Sequence, residues 1–199
     1  MAELPENPEF EPLSRTQVLI AMGVTAVVLL VIAKLWMQFG EASLLSLKWS
    51  GLAVLMGLGL GGAITVASSV IYRTWAAYRQ SADYYLELVL KPLIWPDVIW
   101  LGLLPGLSEE LLFRGVMLPS FGMDAAGVIF SSLCFGVLHL SNLKQWPYVV
   151  WATIVGMSLG ASAVVTGNLL VPIVAHIATN LISSFIWKWG DRKKNQVID

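Results

Sequence analysis

The 199-residue sequence predicts an all-α fold, a multi-pass transmembrane helical bundle of about six spans. Three observations carry that expectation. Hydrophobic residues make up 57% of the chain and charged ones only 13%, against about a quarter charged in ordinary soluble domains. The mean hydropathy is +0.73. The apolar residues also fall in charge-free runs near the 20 or so that a helix needs to cross a hydrocarbon core of about 30 Å. A formal charge of -1 argues against a nucleic-acid partner, and the single cysteine, Cys134, excludes an intramolecular disulfide or any multi-cysteine metal site.

Residues 1–16 form an acidic, proline-rich tail with Glu3, Glu6, Glu9 and Glu11 among Pro5, Pro8 and Pro12, a poor match to a basic signal peptide. Residues 17–96 hold two leading transmembrane helices and an interfacial segment. The first helix runs from Gln17 to Ala33. The second lies between Lys48 and Arg73, with Gly57 and Gly61 at the spacing that lets a neighbouring helix approach closely. Asp83 to Trp95 reads as an amphipathic interfacial helix ended by Pro92.

Residues 97–189 form a four-helix membrane core. Its spans are Val98 to Leu118, Ala125 to about Leu143, and a hairpin made from the 43 uncharged residues between Gln145 and Trp187, divided at Thr166, Gly167 and Asn168. Asp124 reads as the residue that starts the second of these. Pro105 and Gly106 read as a place where the first could kink, and Gly156 and Gly160 allow close packing of the third. Residues 190–199 are a basic tail. Arg15, Arg73, Arg79, Lys91, Lys144, Lys188, Arg192, Lys193 and Lys194 fall on one side of this layout, with Lys34 and Lys48 on the other. That asymmetry places both termini on the cytoplasmic or stromal side.

Glu109, Glu110 and Arg114 stand within six positions of an apolar span, where each uncompensated charge costs about 2.5 to 3.5 kcal/mol. Glu110 and Arg114 share a helix face at i,i+4 and neutralise each other, which by itself is a structural ion pair. Glu109 points about 100° away and needs a hydrated cavity or a partner on another helix. Both histidines lie in predicted spans: His139 four residues after Phe135, and His176 four residues before Asn180. His139 and Glu109 are placed to share a water, while His176 and Asn180 make a compact donor patch. Taken alone, a membrane histidine serves helix–helix hydrogen bonding equally well, Phe135 reads as packing and Cys134 as a small buried hydrophobe. Ser108 has no histidine in its own segment to activate it.

The ordered set Glu109-Glu110-x-x-x-Arg114, Phe135-x-x-x-His139 and His176-x-x-x-Asn180, on three apolar helices, resembles the CPBP family of intramembrane proteases. This family, also called Abi or CAAX-protease, includes endopeptidases that trim prenylated CAAX proteins. The likeness covers Asp97 to Trp189, and the short Pro-Glu tail with two leading spans is similar in texture to cyanobacterial or plastid members. The resemblance implies an endopeptidase acting on membrane-associated peptides or proteins within the lipid bilayer. It makes Glu109 the general base, His139 the partner orienting its water, and His176 with Asn180 the oxyanion donors. Glu110, Arg114 and Phe135 are the supporting residues. A metal-independent glutamate mechanism is expected, with a zinc site at Glu109, Glu110, His139 and His176 as the alternative. One departure from the pattern is Leu143, where CAAX endopeptidases carry an amide; Asn142 stands one position earlier. The rival functions are a scaffold or chaperone that keeps a polar core without catalysis, and a proton or ion relay. Oligomeric state is left open.

Overall fold

A computed structural model of the chain describes residues 13–40 and 42–196, with side chains as far as residue 192; most of the acidic tail and the last three residues of the basic tail lie outside the described residues. The described residues form helices and their connections, with no strand. Ser14 and Gln17 close a capping box that starts α1 (Arg15–Phe39). A connection leads to α2 (Gly51–Thr74), which Ser50 caps through the Ala53 N–H. Next come α3 (Ala76–Tyr85), which continues as a π-helical turn over Leu86–Leu90, and α4 (Val98–Glu110), which continues as a longer π-helical stretch over Leu111–Met117. The chain then forms α5 (Leu118–Phe121), α6 (Ala125–Leu138), α7 (Trp146–Thr166) and α8 (Leu170–Gln196).

Among the described residues four stretches are long and apolar enough to cross a bilayer: α1, α2, Leu143–Thr166 around α7, and Leu170–Arg192 in α8. A fifth unit pairs Ala76–Leu90 with Trp95–Phe121 across a 110° bend, at a break that holds Pro92. The helices therefore correspond to the six expected segments, but the count of full spans is four to five. The shortfall comes from α6. Its 14 residues extend about 21 Å, less than the hydrocarbon thickness, and it stops at Leu138 instead of reaching Leu143. The amphipathic helix also differs from its expected limits. It begins at Ala76, seven residues before Asp83, and ends before Pro92 as anticipated. Its Tyr78, Ser81, Ala82 and Leu90 are buried against the bundle.

Helix α8 lies at the centre: 44% of its most apolar window is buried, against 22% for α1 and α2, whose outward faces present valine, leucine and isoleucine as lipid would require. Two glycine pairs hold it there. A Cβ added at Gly57 would fall 2.6 Å from Val174 Cβ, and one at Gly61 would fall 2.7 Å from the Ala175 carbonyl, so α2 meets α8 in parallel at near-backbone distance. On the other side, Gly102 faces Leu181 at 2.7 Å and Gly106 faces Ile177 at 2.5 Å by the same measure, so α4 runs antiparallel to α8. Helix α4 continues through Pro105 without a break. The expected irregularity occurs six residues later, in the π-helical stretch, where the Gly115 carbonyl accepts a hydrogen bond from Leu45 on the α1–α2 connection.

The remaining connections follow local chemistry. Asp124 caps α6 by accepting from the Gly127 N–H. Gly167 ends α7 with a left-handed φ of 57°, which splits the long uncharged run into a hairpin. Asn168 ties that turn to Lys48, accepting from its N–H and donating to its carbonyl. Towards the opposite ends of α2 and α8, Arg15 grips Asp97 through two hydrogen bonds of 2.7 and 2.9 Å, and Lys188 donates to the carbonyls of Leu90 and Leu93.

Candidate active site

The antiparallel register of α4 and α8 builds the site. With Gly106 against Ile177, one further turn of α4 brings Glu110 to His176, whose Nδ1 lies 2.7 Å from Glu110 Oε1. The same oxygen accepts from Arg114 Nη1 at 2.9 Å, and neither the Glu110 nor the Arg114 side chain is exposed at all. Arg114 then reaches α7, where Nη2 donates to the Gly156 carbonyl at 2.9 Å. Gly156 is what permits that approach, since a Cβ there would sit 3.0 Å from Nη2. The ion pair anticipated from the i,i+4 spacing is thus present, with His176 and Gly156 added to it.

Phe135 has a larger place than packing alone. Its ring lies 4.3 Å from the Arg114 guanidinium carbon, a cation–π contact in a water-poor setting. It also meets Phe113 edge-on at 5.5 Å, His139 at 4.8 Å and His176 at 5.8 Å between ring centroids. Phe135 therefore separates the two histidines and holds the buried cation.

Glu109 faces the other way, as its offset from Glu110 required. It lines a cavity of about 750 Å³ together with His139, His176 and Asn180. Among the described residues Glu109 Oε2 has no hydrogen-bond partner, and it lies 3.9 Å from His139 Nε2. That distance is too long for a direct hydrogen bond and matches the span of one bridging water, about 2.8 Å from each atom. His139 does not lie within a helix; it caps the C-terminus of α6. Its Nδ1 stands 2.8 Å from the Phe135 carbonyl, which can only accept, so Nδ1 carries the proton and the neutral ring presents an acceptor at Nε2. His176 is constrained in the same sense by Glu110, so its Nε2 donates only when the ring carries both protons. Asn180 Nδ2 is 3.4 Å from the Leu101 carbonyl and also borders the cavity.

From this point the cavity extends between α2 and α8 along two polar stripes, Thr65, Ser68 and Tyr72 on one helix and Thr179, Asn180 and Ser183 on the other. Thr65 and Thr179 donate to carbonyls of their own helices, so their oxygens line the cavity as acceptors.

The other sequence candidates lie apart. Ser108 donates to the Leu104 carbonyl of its own helix. Leu143 is 83% exposed, and Asn142 spends its side chain capping Lys144, so neither supplies an amide to the cavity. The four residues of the zinc alternative do not surround one point: no three His, Cys, Asp or Glu side chains gather among the described residues, and Glu110 Oε1 is committed to Arg114 and His176. Sequence reasoning missed the Gly102–Gly106 pair and Tyr85. Tyr85 donates to the His139 carbonyl and accepts from the Ser141 N–H. The glycine pair was visible in its spacing; the tyrosine's partner, 54 residues away, was not.

Comparison with known proteins agrees with the family resemblance. Residues 91–182 match the family described as type II CAAX prenyl endopeptidase Rce1-like. Two relatives from Bacillus subtilis (strain 168) align with part of the chain. The uncharacterized protein YpbD is 36% identical over 87 residues, which is 44% of this chain and 43% of YpbD. The uncharacterized protein YyaK is 34% identical over 82 residues, 37% of this chain and 27% of YyaK. The chain spans less than half the length of these curated relatives. No solved structure matches it significantly. Residues 91–182, just under half of the chain, are thus similar to the Rce1-like family.

Proposed function

We propose that the chain is an intramembrane endopeptidase that hydrolyses peptide bonds of membrane-associated substrates by glutamate-activated water. The observation that carries this reading is Glu109 Oε2, buried, without a partner among the described residues and 3.9 Å from an acceptor nitrogen of His139 inside a cavity. Glu109 takes a proton from a water held between it and His139 Nε2. The water oxygen attacks the peptide carbonyl carbon, and His176 with Asn180 donates to the oxyanion. The C–N bond then breaks and the leaving amine takes the proton from Glu109. Glu110 and Arg114 hold His176 in place.

The substrate class proposed is a membrane-associated peptide or protein, and prenylated CAAX-type chains are its first test because of the family matched by residues 91–182. Hydrolysis without a metal is supported by the commitment of Glu110 Oε1 to two other groups. We place both termini on the cytoplasmic or stromal side. In support, Arg15 and Lys188 both bind the 90–97 segment, while Lys48 meets the α7–α8 turn.

The test is cleavage of prenylated and unmodified membrane peptides by purified protein in liposomes, beside Glu109→Gln, each with and without a zinc chelator. The expected outcome is cleavage that Glu109→Gln abolishes and the chelator leaves intact. Equal activity in Glu109→Gln excludes the glutamate base. Loss with chelator, restored by zinc, replaces the metal-free mechanism, and a folded protein inert towards the whole panel favours the scaffold.

A further inference from the structure

We infer that Tyr85 is a positioning residue for His139, clamping the C-terminal end of α6 so that His139 Nε2 stays in register with Glu109. The inference rests on the protease reading for its catalytic consequence, but its structural content is independent of it.

The clamp meets an ordinary need of a helix end. The last carbonyls of a helix lack partners within it and must find them elsewhere. Helix α6 ends at His139, whose own N–H returns to the Gly136 carbonyl. No glycine in left-handed conformation follows to close the helix; the residues that do follow are Leu140, Ser141 and Asn142. The closing group comes from α3. The Tyr85 hydroxyl donates to the His139 carbonyl and accepts from the Ser141 N–H at 3.0 Å, so one oxygen satisfies two backbone groups on either side of Leu140.

The clamp acts on the ring as well as the backbone. His139 Nδ1 is held by the Phe135 carbonyl one turn earlier, so the imidazole is fixed to the last turn of α6 and moves with it. Tyr85 lies 4.3 Å from Tyr148 between ring centroids, and Tyr148 lies 6.1 Å from His139. A fraying last turn therefore changes the 3.9 Å separation from Glu109 directly. Tyr85 is itself held firmly, because Asp83 on the same helix accepts from Tyr72 on α2 at 2.6 Å and Lys188 fastens the far end of the segment at Leu90. Tyr85 also lines the cavity, so the clamp and one cavity wall are the same side chain.

The experiment compares wild type with Tyr85→Phe, which keeps the ring and removes the hydroxyl, and Tyr85→Leu, which removes both. The chain has only two histidines, so ¹⁵N-histidine labelling gives one ring signal set for His139 and one for His176. In Tyr85→Phe the His139 ring signals shift or broaden while those of His176 remain, and kcat falls about tenfold with KM within about twofold, the result of misplacing a catalytic group by part of an ångström. Unchanged His139 signals in Tyr85→Phe overturn the clamp. So does a loss confined to Tyr85→Leu, which assigns the effect to ring stacking. The spectra read the clamp even if no peptidase activity is found, so its failure is distinguishable from failure of the protease reading.

Discussion

His176 Nδ1 lies 2.7 Å from Glu110 Oε1, and that oxygen is the one that also receives Arg114. A single carboxylate oxygen thus joins α8 to the π-helical continuation of α4, and through Arg114 to the Gly156 carbonyl on α7. The catalytic histidine of the proposed mechanism is held by a structural ion pair, so the supporting residues cannot be removed without disturbing the reacting ones.

Glu110→Ala should destabilise the bundle as well as abolish turnover. It strands the Arg114 guanidinium, which is wholly buried, and breaking such a pair costs about 3 to 5 kcal/mol. Arg114→Ala should act in the same direction by removing the cation beside Glu110, which is then left with His176 as its partner. Thermal unfolding in detergent checks both, and variants that melt with wild type would remove the ion pair from the stability of the fold.

His176→Ala makes a contrasting case. It leaves Glu110 paired with Arg114, so the bundle should assemble, while loss of an oxyanion donor should lower kcat by about a hundred- to a thousand-fold. Turnover like that of wild type in folded His176→Ala would exclude the role.

The hydrogen bond of His176 to Glu110 also bears on the pH dependence. His176 gives its Nδ1–H to Glu110 and can donate from Nε2 only as the imidazolium, so kcat/KM should fall as pH rises. A rate that climbs to a plateau at high pH would mean that His176 does not donate from Nε2 to the oxyanion.

Part of this geometry was legible in the sequence. The i,i+4 spacing of Glu110 and Arg114 carried their ion pair, and the 100° offset carried the separate orientation of Glu109, because both are properties of one helix. Gly57 with Gly61 announced a close helix contact in the same way. Relations between helices were harder. Nothing local joins Glu110 to His176 across 66 residues, or Tyr85 to His139 across 54. The end of α6 at Leu138 was overrun because the apolar, uncharged sequence continues to Leu143. Hydropathy alone does not mark a stop that depends on a partner from α3. Phe135 read as packing because its importance lies in the buried Arg114 beneath it, which only the folded arrangement brings there.

The glycines of α4 offer a test of register at a distance from the chemistry. Gly102 and Gly106 set how closely α4 lies on α8, and hence whether Glu110 meets His176. An added methyl at Gly102 meets only side-chain atoms of Leu181, the nearest at 2.7 Å. At Gly106 it meets Ile177 Cγ1 at 2.5 Å and also the Ile177 backbone nitrogen at 3.2 Å. Gly102→Ala should therefore lose a few-fold in kcat and recover when Leu181→Ala makes room. Gly106→Ala should lose more and recover only in part with Ile177→Ala, because a backbone cannot be trimmed. Both double-mutant cycles should show coupling of about 0.5 to 3 kcal/mol, the range for residues in contact. Strict additivity in the Gly102–Leu181 cycle would mean that α4 finds its register from some other contact.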